Sequence, residues 1–428
     1  MAKSLFKLVR SANVLKNAWL VIQRNGRTSK SPETREEIAI FAEDAGVYLD
    51  RIQRQLRNKK FTFKPAKGVR VKKPGKSDFR PIVIAPVESR IVQRAVHDVM
   101  MTVPGIEALV RSVNSFGGVR GCKEDDYSAV PAAIKAVLEG IKNGGAYIVR
   151  SDISKFFTRI PKPAVRKIIE TVISDQDFLS LYDTAVALEL SNMQKLRDDA
   201  KKFPIEEIGV AQGNSISSMM GNILLKDFDD EMNNLSNIRC IRFIDDFLVL
   251  GPNKATTLKA FSRAEAILSK WQMTLAKDKT DKASIREPFE FLGIEFCNGL
   301  IRPTKKKRQD HIDSIKVILE NSKIALFNYK AEDKIDRKFA VLKSLTKVSD
   351  SMHSWGMHYR FCNDANCLAH LDKEIALLID EYFRTFRSIL NAKGQETMWD
   401  LLGIQSLQKI ERNSLRWEWP TSGSKHQP

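Results

Sequence analysis

In the stretch IRFIDDFLVLG, Ile241 to Gly251, two adjacent aspartates, Asp245 and Asp246, stand between two runs built for burial. A turn between strands is an ordinary place for aspartate. A second apolar run, AYIVRSDI at 146–153, also ends in a carboxylate, Asp152. If the two strands are neighbours, Asp152 and Asp245 meet at one sheet edge. Adjacent strand residues face opposite ways, so a tight turn lets the first carboxylate reach a site that the second supports. Like charges so placed repel unless a cation is present. Hard oxygen donors with neither imidazole nor thiolate suit Mg²⁺, which keeps waters and substrate phosphates in its shell. Two such ions about 4 Å apart clamp the attacking and leaving oxygens of a phosphoryl transfer.

The surrounding elements read as α+β, because strands and helices mix without strict alternation. In residues 31–60, Ile38, Phe41, Ala45, Leu49, Ile52 and Leu56 recur at steps of three and four, the stripe of one helix. Ser31 suits its cap and Pro32 its first turn. FTFKPAKGVRVKKPGKSDFRPIVIAP, 61–86, alternates apolar with basic residues around Pro74-Gly75 and predicts a basic-tipped β-hairpin. Residues 88–103 predict a helix, 146–153 a buried strand, and the stretch to about 200 more helix. VAQGNSIS then turns into a helix with Ile216, Met220, Ile223 and Leu224 inward and Asn214 or Ser215 as its cap. Residues 240–250 predict two short strands joined at Asp245-Asp246, followed by a helix over 254–271 and strand-like FEFLGIEF. From about 302 to 400 the pattern is helical, with a stripe of Leu368, Leu371, Ile375, Leu378 and Tyr382. The terminal TSGSKHQP predicts disorder, and there is no internal repeat.

The chain has 428 residues, 43% of them hydrophobic, enough for two or three subdomains. Its 70 Lys and Arg against 52 Asp and Glu leave a formal charge of +18, which calls for a polyanionic partner. No apolar run approaches the roughly 20 residues of a membrane span, and the basic N-terminus has no clean apolar core or cleavage site. A cytosolic protein that binds nucleic acid rather than a membrane is therefore expected. Cys122, Cys240, Cys297, Cys362 and Cys367 have no framework spacing and are expected as reduced thiols.

These residues fall in an order that resembles the reverse transcriptases, most closely the bacterial branch related to group II introns. SDISKFF at 151–157 resembles motif A, AQGNSIS at 211–217 motif B, FIDD at 243–246 motif C, LAKDKT at 275–280 motif D and FEFLGIEF at 289–296 motif E. Upstream, KKPGKSDFRPIVIAPVESRIVQRA at 72–95 resembles the fingers block and SFGGVRG at 115–121 the block after it. HSWGMHYR at 353–360 is similar to part of the helical thumb. Each motif is weak alone; the order carries the resemblance.

The resemblance implies a right-hand polymerase fold. Its parts would be an N-terminal helical region at 1–60, fingers at 61–145, a palm at 146–300 with a finger insertion at about 158–205, a helical thumb at 301–412 and a tail at 413–428. Asp152 and Asp245 would hold two Mg²⁺ ions (Mn²⁺ being a possible substitute), with the Ile153 carbonyl as a further ligand and Asp246 as the third acidic member. Lys73 and Arg80 would hold the incoming triphosphate, Arg by its planar fork; the plainer reading is backbone-phosphate contact or a solvated face. Gln212 and Gly213 would lie beside the nucleotide and template base, although glycine is also common in a helix-entry turn. Lys279 would protonate the leaving pyrophosphate, against the plainer reading of a solvated lysine. Phe157 would be the sugar gate, its ring clashing with a ribose 2′-OH; otherwise it is a core aromatic, since one of Phe156 and Phe157 must be buried. Two residues depart from the family pattern: Phe243 stands where Tyr is usual, and Ala211 where Pro is commoner.

The implied activity is RNA-directed DNA synthesis from deoxynucleotides on an RNA template. The length after motif E leaves room for a thumb and little for an endonuclease domain, and neither an RNase H continuation nor the retron Val-Thr-Gly signature is present. That subtraction points to a stand-alone enzyme of phage defence working with a dedicated noncoding RNA. The alternatives are an RNA-binding splicing factor on a polymerase fold, an untemplated DNA polymerase, and an RNA-templated RNA polymerase. Three secondary readings remain. His353, His358, Cys362, Cys367 and His370 would hold zinc only at spacings that fit no common finger. KKKR at 305–308 would contact a primer-template backbone. The aromatics of RWEWP at 416–420 would stack on bases or dock on a domain.

Overall fold

The computed structural model describes residues 4–73, 78–118, 128–330 and 335–405, with 407, 410, 411 and 413. The turn expected at Pro74-Gly75, positions 119–121 of SFGGVRG, Cys122, RWEWP and TSGSKHQP lie outside them. The chain divides into two compact units, Met1–Leu292 and Gly293–Pro428.

The first unit opens with four helices, α1 (Leu5–Val9), α2 (Ala12–Arg27), α3 (Pro32–Glu43) and α4 (Ala45–Arg57). The single helix expected over 31–60 is two. Asp44 leaves helical geometry at φ −126° and ψ 36°, in keeping with the preference of Asp for helix ends over interiors. The stripe survives the break: Ile38, Phe41, Ile52 and Leu56 are all buried with Leu15 and Trp19 of α2. Ser31 caps α3 as expected, accepting the Thr34 N–H at 3.2 Å.

The basic hairpin is present as β1 (Lys67–Lys72) and β2 (Phe79–Ile84), antiparallel with Lys72 opposite Phe79. Helices α5 (Val87–Met100), α6 (Pro104–Val110) and α7 (Ala129–Lys142) follow. Then come β3 (Tyr147–Asp152), α8 (Lys162–Glu170), α9 (Gln176–Val186), α10 (Met193–Leu196), α11 (Ser217–Leu224) and α12 (Lys226–Asn233). The segment around α10 is stitched to β1: Asn192 accepts the Gly68 N–H at 2.8 Å and donates to its carbonyl at 2.9 Å. A small cluster of Ala66, Val83, Leu190, Leu196, Phe203 and Ala211 closes that contact.

The four inward positions of α11 are buried as the pattern requires, but its cap differs. Ile216 occupies the cap position, and Asn214 acts two residues earlier by accepting the Ile216 N–H at 3.0 Å. Strands β4 (Arg239–Phe243) and β5 (Asp246–Gly251), helix α13 (Lys254–Ser269) and strand β6 (Asp281–Ser284) complete the central sheet, ordered β4-β5-β3-β6. Its recorded pairs are antiparallel. Helix α13 packs across β3 and β5, and α12 against β4. That explains strands that are apolar on both faces. FEFLGIEF is not one strand: β7 (Phe289–Phe291) and β8 (Ile294–Cys297) flank Leu292 and Gly293, whose φ angles are 53° and 78°.

In the second unit β8 pairs with β9 (Leu300–Pro303). Three long helices, α14 (Lys305–Asn328), α15 (Val341–Tyr359) and α16 (Ala365–Lys393), and the short α17 (Met398–Leu402) follow. The expected stripe lies on α16, with Leu371, Ile375 and Tyr382 buried against Ile315, Leu319 and Leu326 of α14. Tyr382 is fully buried, its hydroxyl 2.7 Å from the Ser322 hydroxyl, which also bonds the Phe339 carbonyl at 2.7 Å. Removing that hydroxyl alone takes away one buried hydrogen bond, while Ser322 keeps its bond to the Phe339 carbonyl. Tyr382→Phe is expected to cost about 1 kcal/mol and Tyr382→Ala about 3–5 kcal/mol, read as a shift in the denaturant midpoint of the full chain.

Candidate active site

Antiparallel pairing of β3 with β5 sets Asp152 directly opposite Asp246. Cross-strand neighbours of this kind have Cβ atoms about 5 Å apart. The connection between β4 and β5 is a two-residue turn, Ile244-Asp245, closed by the pair Phe243 and Asp246. The turn thus comes one residue earlier than expected: Asp246 is already paired in the strand, and Asp245 projects at the tip. The Ile153 N–H donates to the Asp245 carbonyl at 2.9 Å, tying the two loops together. Asp152, remote in sequence, therefore lies beside the Asp245-Asp246 turn.

Their electrostatics follow from that crowding. Burial, then the charges of Asp152 and Asp246, pushes the Asp245 carboxyl up to about 7. Burial and Asp152 likewise raise Asp246. Lys279 ends a 3₁₀ turn at Lys277–Lys279 and sets its ammonium on the Asp152 carboxylate. Burial alone would lower its pKa, but the contact with Asp152 and the charges of Asp246 and Asp245 hold it above the usual lysine value. Among the described residues no group of three or more His, Cys, Asp or Glu converges on one metal-sized point. An open acidic face with oxygen donors alone fits a hard ion that completes its shell with water and phosphate oxygens. The Asp245 and Asp246 charges that burial and repulsion disfavour are the electrostatic counterpart of such an ion.

Phe157, Gln212 and Gly213 lie on segments tied to one another and to β2 by main-chain bonds. Phe156 is buried and Phe157 half-buried, the two rings 5.4 Å apart. The Phe157 carbonyl accepts the Val210 N–H at 2.7 Å, which brings Ala211, Gln212 and Gly213 alongside. The Gln212 carbonyl in turn accepts the Val83 N–H of β2 at 3.0 Å. Gly213 has φ +118°, and a Cβ there would lie 2.6 Å from the Val83 carbonyl oxygen, so glycine is required twice over. Arg80, exposed, lies on the same strand as Val83. Lys73 is engaged: its ammonium pairs with Asp78 at 2.9 Å, and this bond holds the Asp78 carboxyl below its ordinary value.

The sequence reading missed what stands beneath the turn. Arg242 on β4 is fully buried, and Asp229 and Asn222 are 2% exposed. The guanidinium bonds Asp229 at 2.7 and 2.5 Å, Asn222 Oδ1 at 3.0 Å and the Ile244 carbonyl at 2.9 Å. An arginine set between Ile241 and Phe243 was the available signal. The secondary zinc reading gains no support: Trp355 stacks on His311 at 4.7 Å, Tyr359 packs on Trp355, and His370 pairs with Glu374.

Comparison with known proteins agrees with the order of these residues. The family described as "Reverse transcriptase (RNA-dependent DNA polymerase)" matches residues 71–296, more than half of the chain and all ten candidate site residues. The uncharacterized 91 kDa protein in cob intron of Schizosaccharomyces pombe is 24% identical over 190 residues, 44% of this chain and 21% of its own length. The chain thus spans about a fifth of the curated relative it matches. Among solved structures, apo telomerase from Candida tropicalis aligns at a TM-score of 0.44 and 14% identity, covering 82% of this chain and 68% of that one. A partial Cas6-RT-Cas1–Cas2 complex aligns at 0.35 and 16%, covering 63% and 43%. On the strength of the family match, the chain belongs to the reverse transcriptase family and has its right-hand, mixed α and β polymerase fold.

Proposed function

We propose that the chain is an RNA-directed DNA polymerase that adds deoxynucleotides to a primer 3′ end. The observation that carries this is the register setting Asp152 opposite Asp246, with Asp245 at the adjoining turn. Residues 61–145 and the insertion at about 158–205 act as fingers, 146–300 as the palm and 301–412 as the thumb.

Asp152, Asp245 and Asp246, with the Ile153 carbonyl, are the groups that would hold two Mg²⁺ ions, for which Mn²⁺ can substitute. Bound there, the ions supply charge stabilisation at the attacking and leaving oxygens. Arg80 and Lys73 hold the triphosphate, Lys73 by exchanging Asp78 for phosphate. The primer 3′ hydroxyl gives its proton to solvent water and its oxygen bonds the α-phosphorus while the bond to the bridging oxygen of pyrophosphate breaks. Lys279, charged at neutral pH, delivers a proton to that leaving group and is left neutral. Gln212 and Gly213 line the nascent pair, and Phe157 crowds the 2′ position of the sugar.

The template is an RNA, and we place the enzyme in the cytoplasm of a bacterium, serving antiphage defence with a dedicated noncoding RNA. Among the described residues no helix is long and apolar enough to cross a membrane. The formal charge of +18 supports a nucleic-acid partner.

Three measurements test this. Purified protein is expected to extend a DNA primer on an RNA template with deoxynucleotides and Mg²⁺, and Asp245→Ala to abolish extension; tight RNA binding without extension by the wild-type chain would favour a splicing-factor role. Phe157→Ala is expected to admit ribonucleotides, and unchanged sugar discrimination would remove Phe157 from the gate. Ligand carboxyls must lose their protons to bind metal. With Asp245 raised to about 7, Mn²⁺ binding is expected to tighten as pH rises toward 7 and to level off above it. Calorimetry below pH 7 in buffers of different ionisation enthalpy is expected to show proton release that Asp245→Asn removes.

A further inference from the structure

The turn that presents Asp245 is strained. Ile244 has φ 60°, a region that β-branched residues avoid. Such a conformation persists only where the surroundings over-determine it. Here they do so from two sides.

From below, Arg242 Nη1 donates to the Ile244 carbonyl at 2.9 Å and to Asn222 Oδ1 at 3.0 Å, while Nε and Nη2 are taken by Asp229. From the flank, Gly117 lies so close that a Cβ on it would meet the Ile244 backbone nitrogen at 2.5 Å. Asn222 joins the two sides: its amide donates to the Gly117 carbonyl at 2.9 Å while its oxygen accepts from Arg242. The Phe116 N–H bonds the Arg242 carbonyl at 2.9 Å, and the Arg242 N–H bonds the Asn114 carbonyl at 2.8 Å.

This arrangement is poorly explained as a source of stability. A buried ion pair repays its desolvation only in part, and well-packed apolar side chains often serve as well or better. What apolar side chains cannot do is hold a carbonyl at a fixed point. The guanidinium has five donors in a rigid fork, and here the fork spans a carboxylate, an amide and the turn.

We propose that Arg242, with Asp229 and Asn222, is a positioning unit that holds the Ile244-Asp245 turn in its left-handed conformation and so sets the Asp245 carboxylate for metal binding. The unit touches no substrate; it acts through Asp245. The inference rests on the metal-binding role given to Asp245 above.

The test uses the full-length protein, with Mn²⁺ alone as probe in calorimetry, primer extension as a second readout and thermal melting as control. Partners one shell beyond a metal ligand typically change affinity or activity about ten- to hundredfold. Asn222→Ala and Arg242→Lys are each expected to weaken Mn²⁺ binding in that range. They are expected to lower kcat with the KM for deoxynucleotide little changed. The paired replacement Arg242→Met with Asp229→Leu is expected to melt near the wild-type temperature yet show the same metal defect. Ile244→Gly, which relieves the strain, is expected to restore much of the Mn²⁺ affinity lost in Asn222→Ala; a merely structural defect would not respond to it. Folded variants that bind Mn²⁺ like the wild-type chain would overturn the proposal, as would failure of Ile244→Gly to rescue. Because Mn²⁺ binding is measured without substrate, a chain that binds metal but extends no primer would refute the polymerase reading and leave this one standing.

Discussion

Three like charges must be held at the ends of two paired strands, and the rest of the first unit is arranged around that constraint. The pairing of β3 with β5 decides it, because a slip of one residue would send Asp152 and Asp246 to opposite faces. The register is fixed by burial. Ile148, Val149, Leu248, Val249 and Leu250 are each at most 1% exposed, so any slip would move apolar side chains out of both packed faces at once. The apolar run therefore has a function beyond making a core: it supplies the energy that keeps repelling carboxylates together.

That logic explains which parts of the site were legible in the sequence. Asp152, Asp245 and Asp246 stood out because a charge inside an apolar run has few innocent explanations. Arg242 offered the same signal and was passed over, since its partners Asp229 and Asn222 come from helices that look ordinary in sequence. Local pattern shows a misplaced charge; it does not show what the charge meets. The engaged state of Lys73 was hidden for a related reason, because its pairing with Asp78 depends on the register of the hairpin rather than on composition.

Fold elements divide in the same way. Periodicity located the hairpin, the buried strands and the stripes of α11 and α16, since those are repeated signals summed over many residues. It missed the break at Asp44, the early turn at Ile244 and the interruption at Leu292, each set by one or two backbone angles. A β-branched residue at positive φ is a choice that no propensity scale would make. It became readable only once Gly117 and Arg242 were seen holding it.

A further regularity concerns how the candidate residues are joined. The Ile153 N–H bonds Asp245, the Ala276 N–H bonds Asp152, the Val210 N–H bonds Phe157 and the Val83 N–H bonds Gln212, all through main-chain carbonyls. Geometry thus passes from loop to loop through the backbone and does not depend on the side chains of Asp245, Phe157 and Gln212. Such a scheme tolerates variation where a side chain is not part of the clamp. It is intolerant where the backbone itself must come close. Gly213 against the Val83 carbonyl and Gly117 against Ile244 are such points, and there the absence of a side chain is what lets β2 and the acidic turn make their close approaches.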